Sequence, residues 1–211
     1  MTHKLKLGVL ISGNGSNLQA IIDAIAAGSL DATVQVVISN RRHVYGLQRA
    51  RTAGIPAITL DAKHYETFDD FNRALLGELL HHRADLVVMA GYMKLVSSHV
   101  LDAFPNRVLN IHPALLPAFK GAHAIRDAFA AGAELTGVTV HIANENFDEG
   151  PILAQREVPI LPDDTLHSLE SRIHEVEHRL YPEVLQDIAT GKIQLCVRPC
   201  GARYQRRACP C

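Results

Sequence analysis

Nothing in this chain narrows its possible folds more than the alternation, over its first half, of short β-branched runs with longer segments of helical periodicity. Lys6 to Ile11, Thr33 to Ile38, Ala57 to Leu60, Asp85 to Ala90 and Arg107 to Ile111 are the strand candidates. Between them Leu18, Ile21, Ile22 and Ile25 recur at i, i+3, i+4 and i+7, and Phe68, Phe71, Leu75, Leu76 and Leu79 repeat that stripe. Strands and amphipathic helices in turn specify an α/β fold: a Rossmann-like, mostly parallel sheet with helices on both faces. After residue 112 the rhythm changes. A loop carrying Pro113 and Pro117 leads to a short helix near Ala122 to Ala131, then to two strands, Gly137 to Ala143 and Ile152 to Val158. The loop of about eight residues between those strands points to an antiparallel pair extending the sheet. A last helix, from about Thr165 to Ala189, carries Leu166, Leu169, Ile173, Val176 and Leu180, with Thr165 as its N-cap. Pro182 is expected to kink or interrupt it.

Composition sets the remaining bounds. With 211 residues, 47% apolar and 20% charged, the chain can bury a sufficient core without metal or disulfide staples. One domain over residues 1–195 is expected, followed by a flexible tail over 196–211 that holds all four cysteines, Cys196, Cys200, Cys209 and Cys211. The body therefore offers no cysteine nucleophile. A formal charge of −1 provides no general field for nucleic acid or an anionic membrane, so neither is expected as a partner. The apolar run Leu7 to Ile11 is broken by Ser12, Gly13 and Asn14, well short of a membrane span or a signal peptide, and a cytoplasmic location follows as the expectation.

Chemistry concentrates at three places. Ser12-Gly13-Asn14-Gly15-Ser16-Asn17 follows the first strand and opens the first helix, where free N–H groups and the positive helix end face a ligand. The third glycine of a dinucleotide loop is missing, the second strand ends in Ser39-Asn40 rather than an acid, and no Gly-Lys-Ser/Thr follows. That leaves a site for one phosphate, or a glycine turn used only for geometry. Asn110-Ile111-His112 ends the fifth strand, and period-two alternation puts Asn110 and His112 on one face. A carboxamide beside an imidazole suits oxyanion stabilisation with proton transfer, although a strand-end histidine bonded to a carbonyl would read the same. Asp148 lies in the turn-rich Asp148-Glu149-Gly150-Pro151 segment, either as a turn aspartate or pointing into a cleft.

His174-Glu175-Val176-Glu177-His178 matches the pattern of zinc proteases, with both histidines on one helical face. Twelve histidines and many glutamates make a chance match easy, and no downstream acidic ligand accompanies it. No metal is expected. His174 and Glu177, three apart, are as well placed to face a small substrate.

Taken together, Leu10 to Ile21, Ala90-Gly91-Tyr92-Met93, Asn110 to Pro117, Asp148 to Pro151 and Glu177 to Pro182 resemble the phosphoribosylglycinamide formyltransferase family, over about residues 5 to 193. The resemblance implies the formyltransferase fold and transfer of the formyl group of 10-formyltetrahydrofolate to the amine of glycinamide ribonucleotide, in purine biosynthesis, without metal or ATP. It implies a catalytic trio of Asn110, His112 and Asp148, a ribonucleotide site of Gly15, Ser16, Asn17, His174 and Glu177, and a folate pocket lined by Met93, Lys94, Leu95 and Val96 with Asn144, Glu145, Asn146 and Phe147. A monomer or weak homodimer is expected. Ala114 stands where the family usually has serine, and Phe68 where some relatives carry an arginine for the folate tail. The alternative is hydrolysis of 10-formyltetrahydrofolate with water as acceptor. Relatives of that kind look to need a further N-terminal domain, and the transfer-RNA formyltransferases a further C-terminal one; 211 residues are expected to hold neither.

Overall fold

The computed structural model describes residues 4–196, so the tail bearing Cys200, Cys209 and Cys211 lies outside the described residues. Seven strands, β1 (Leu5–Ile11), β2 (Ala32–Ser39), β3 (Ala57–Thr59), β4 (Leu86–Met89), β5 (Val108–His112), β6 (Leu135–Ile142) and β7 (Ile152–Pro159), form one sheet in the order β3-β2-β1-β4-β5-β6-β7. β1 to β5 are mutually parallel, whereas β6 runs antiparallel to β5 and β7 antiparallel to β6. The helices are α1 (Ser16–Ala26), α2 (Tyr45–Thr52), α3 (Phe68–His81), α4 (Ser98–Ala103), α5 (Ala124–Ala130) and α6 (Leu166–Ala189).

Strands covered on both faces must be apolar on both, and the two cores show how alternation divides them. Leu7, Val9 and Ile11 of β1 join Leu86 and Val88 of β4 under α1 and α6, meeting Leu18, Ile21, Ile173 and Tyr181. Leu10, Val87 and Met89 turn to the opposite face, against Phe71, Leu75 and Leu79 of α3. Gly8 lets α3 approach closely, since a Cβ there would lie 2.5 Å from Leu79 Cδ2.

Three details differ from the sequence-based expectation. α2 and α4 are short helices, of eight and six residues, that give too few turns for a visible stripe. Phe68 does not belong to the buried stripe of α3: as the first residue after the Thr67 cap it is 49% exposed, and the buried row begins at Phe71. Pro182 does not interrupt α6, which runs unbroken for 24 residues. Its ring removes one N–H from the ladder, but Leu180, Tyr181, Val184 and Leu185 around it are all buried and hold the helix on the sheet. At the other end the side chain of Thr165 accepts from the Ser168 N–H in a capping box.

Strand order fixes where a ligand can enter. From β1 the chain moves outward to β2 and β3, then returns to the other side of β1 with β4 and β5. The loops leaving β1 and β4 therefore diverge to opposite faces and open a crevice at their carboxyl ends.

Candidate active site

One half of that crevice is built by the glycine loop. Gly15 caps α1 with φ 75°, and a Cβ there would sit 2.7 Å from the Gly46 Cα, so both conformation and space call for glycine. Ser12 ties three strand ends together, its hydroxyl donating to Asn40 Oδ1 at 2.6 Å while accepting from the Met93 N–H at 2.8 Å. The loop, with Arg41, His174 and Glu177, encloses a cavity of about 370 Å³. Glu177 is buried there; it accepts from Asn17 Nδ2 at 3.1 Å and faces His174 Nδ1 at 2.9 Å. That hydrogen bond to Glu177 outweighs desolvation and holds the half-buried His174 ring above its ordinary pKa.

The other half centres on Asp148. Period-two alternation does put Asn110 and His112 on one side of β5, and Asp148 from the β6–β7 loop meets both: Oδ2 lies 3.4 Å from His112 Nδ1, and Asn110 Nδ2 donates to Oδ1 at 3.4 Å. The Gly121 N–H donates to Oδ2 at 2.9 Å. Burial drives the Asp148 carboxyl upward, but the His141 hydrogen bond, the Gly121 N–H and the fields of His112 and His141 together hold it below its ordinary value. Asp148 stays a carboxylate. The other nitrogen of His112, Nε2, meets the Phe119 carbonyl at 2.8 Å, so the ring is bonded to a carbonyl on one side, the second alternative read from the sequence, and faces Asp148 on the other.

His141 is the participant that the sequence reading missed. Antiparallel register places it opposite Asn110, and its Nε2 lies 3.1 Å from Asn110 Nδ2 and 3.6 Å from Asp148 Oδ1. Its Nδ1 faces the Ile142 carbonyl at 3.1 Å. A carbonyl only accepts, so Nδ1 carries a hydrogen, and Nε2 stands between the Asn110 carboxamide and the Asp148 carboxylate. A buried histidine in the apolar run Gly137 to Ile142 was the available signal.

These groups open into a second cavity of about 780 Å³, lined by Met93, Leu95, Asn110, His112, Glu145, Asn146, Phe147 and Asp148 among others. Met93 and Phe147 are more than half exposed at 58% and 56%, an apolar rim unusual for side chains of that size. Lys94, Val96 and Asn144 are not in this lining. Lys94 places its ammonium 5.3 Å from the Phe71 ring centre, Val96 is buried in the α3-side core, and Asn144 Oδ1 accepts from the Asn146 N–H to shape the loop. Gly91, Met93, Ile111 and Pro113 border both cavities, so the two halves meet beside His112. On α6 the His174 and His178 rings stack with centres 6.4 Å apart, and no group of three or more potential metal ligands occurs among the described residues.

A doubly wound sheet with an antiparallel extension, carrying an Asn-His-Asp cluster near the glycine loop and a larger apolar cavity, places the chain among the formyl transferases. The formyl transferase family matches residues 5–185, and the chain belongs to it. Within that class the likeness narrows to one kind of member. The phosphoribosylglycinamide formyltransferase of Bacillus subtilis is 38% identical over 183 residues, 87% of this chain and 94% of that protein. The glycinamide ribonucleotide transformylase 1 of Symbiobacterium toebii has a crystal structure similar at a TM-score of 0.90, with 47% identity across 94% of this chain and 93% of that one. The trifunctional purine biosynthetic protein adenosine-3 of Chironomus tentans is 41% identical over 91% of this chain, which spans only 14% of that protein.

Proposed function

We propose that this protein is a phosphoribosylglycinamide formyltransferase that moves the formyl group of 10-formyltetrahydrofolate to the amine of glycinamide ribonucleotide in purine biosynthesis. The observation that carries the reading is the junction of two cavities beside the trio: one suited to a phosphate and sugar, the other to a flat, largely apolar donor, with Asn110, His112 and Asp148 in the wall of the larger one and Ile111 and Pro113 shared by both. The glycine loop with Gly15, Ser16 and Asn17 holds the phosphate, and His174 and Glu177 meet the sugar. Met93, Leu95 and the segment Glu145 to Phe147 enclose the folate, with Lys94, Val96 and Asn144 supporting that wall.

The reaction needs no covalent enzyme intermediate. The amine nitrogen attacks the formyl carbon, a C–N bond forms, and the carbonyl electron pair moves to oxygen. Asn110 Nδ2 lies 3.1 Å from His141 Nε2 and donates to Asp148 at 3.4 Å; that long bond is the one that the developing oxyanion takes over. His112, oriented by Asp148, stands beside that oxygen. The C–N10 bond then breaks, the oxygen pair re-forms the carbonyl, and the proton lost by the amine passes through the His112–Asp148 pair to N10. The chemistry uses neither metal nor ATP.

The deciding experiment incubates the protein with 10-formyltetrahydrofolate, with and without glycinamide ribonucleotide. Anchoring the amine beside the formyl carbon gives it a high effective molarity over water, so folate product is expected rapidly only with the ribonucleotide. A rate unchanged by the ribonucleotide would leave hydrolysis in its place.

A further inference from the structure

The glycine loop does not set its own shape. Gly15 receives no side-chain cap, and the N–H groups of Asn14 and Gly15 donate to no acceptor among the described residues. What orients them comes from α2, the short helix without a visible stripe in the sequence. The Gly46 N–H donates to the Gly13 carbonyl at 3.1 Å. Arg49, one turn further, donates through Nε to the Asn14 carbonyl at 3.0 Å, through one terminal nitrogen to Asn14 Oδ1 at 3.0 Å, and through the other to Gln19 Oε1 at 3.1 Å.

In a trans peptide unit the C=O and the following N–H point in opposite directions. Holding the Gly13 carbonyl from the α2 side therefore turns the Asn14 N–H away from α2, and holding the Asn14 carbonyl does the same for Gly15. Both hydrogens are then directed together, as a nest for an anion. Resting on the reading of the smaller cavity as the ribonucleotide phosphate site, we propose that Arg49 is a positioning residue for that phosphate: it grips the loop from behind and fixes the Asn14 and Gly15 N–H groups toward the substrate.

The surroundings of Arg49 fit that task. Its guanidinium carbon lies 4.5 Å from the centre of the Tyr45 ring, a cation–π contact that adds to the hydrogen bonds in holding the group in place. All three of its hydrogen-bond acceptors belong to Asn14 or to Gln19 of α1, and Gln19 is itself fixed by Asp23 at 2.8 Å. No carboxylate forms an ion pair with Arg49 among the described residues, so no direct partner competes with the loop for its guanidinium. Gly46 completes the clamp; a Cβ there would lie 2.5 Å from Ile11 Cδ1 and 3.2 Å from the Gly13 oxygen.

The test uses Arg49→Gln and Arg49→Lys in the full chain, each checked by thermal melting. Steady-state kinetics should show Arg49→Gln raising KM for glycinamide ribonucleotide about tenfold or more while KM for 10-formyltetrahydrofolate stays within about twofold. Arg49→Lys keeps the charge but not the fork, and should recover only part of the loss. An unchanged ribonucleotide KM, an equal rise in both constants, or complete rescue by lysine would overturn the clamp. Inorganic phosphate separates this proposal from the formyl-transfer reading, because it needs no turnover. Titration followed at the Gly15 amide resonance should saturate at about tenfold higher phosphate in Arg49→Gln than in the wild type, and equal saturation would overturn it. A wild type inactive on the ribonucleotide would sink formyl transfer alone, leaving the clamp to the phosphate titration.

Discussion

Asp148 holds His112, Asn110 and the Gly121 N–H from a backbone with φ 55°, a left-handed conformation that few non-glycine residues adopt. Gly150, two residues on, packs where any Cβ would run into the Ile142 carbonyl, so the loop is pinned just after the carboxylate. Asn110→Ala, His112→Ala and Asp148→Ala should each lower kcat by about 10² or more, the scale of losing an oxyanion donor or a general acid–base group. Because the three share one hydrogen-bond network, a double variant should lose far less than the product of the two single losses; steady-state kinetics on folded protein decides both points. Multiplying losses would mean that the residues act separately. Asn110 and His112 were legible because two residues on one strand must share a face. His141 was not, because its place beside Asn110 depends on a pairing across 31 residues that no local pattern encodes.

At the scale of elements, α6 does more than cover the sheet. Tyr181 is fully buried and its hydroxyl reaches the Met89 carbonyl at 3.2 Å and the Leu109 carbonyl at 3.1 Å, joining α6 to the last residue of β4 and to the residue before Asn110 in β5. Tyr181→Phe should cost about 1–1.5 kcal/mol in chemical denaturation, and an unchanged midpoint would remove the hydroxyl from that role. Its start is fastened by Asp164, which accepts from Arg172 at 2.7 and 2.8 Å, from Ser168 Oγ at 2.7 Å and from the Leu161 N–H at 2.8 Å. The Arg172 hydrogen bonds, first among these, hold the Asp164 carboxyl far below the usual range. A depressed carboxyl stabilises the fold above its unfolded pKa, near 4, and that contribution disappears as pH falls through the folded value. Asp164→Asn should therefore lower Tm by a few degrees at pH 7, with the gap to the wild type closing only well below pH 4. A gap independent of pH would point to packing instead of charge. Thr165 and the apolar stripe announced this helix in the sequence, whereas its passage through Pro182 depends on packing that the sequence pattern does not show.

Across the whole molecule, the packed body continues past α6, since Ile193 and Leu195 rest on the α1-side core and Asn106 Nδ2 donates to the Cys196 carbonyl at 2.8 Å. A chain ending at residue 196 should match the full chain in Tm and in turnover of both substrates; a loss of either would give the cysteine-bearing tail a part in the fold or the site. By itself the sequence determined the sheet class, the positions of all seven strands, the glycine loop and the Asn-x-His face, because these follow from hydrophobic period and from the few residues able to make a left-handed turn or a strand end. Only the tertiary structure decided what surrounds them. Strand order opens the crevice between β1 and β4, antiparallel register carries His141 to Asn110, and α2 reaches back to the glycine loop through Arg49. Each of these joins residues distant in the chain, where the gain comes from burying surface and pairing polar groups in three dimensions rather than from any preference that neighbouring residues express.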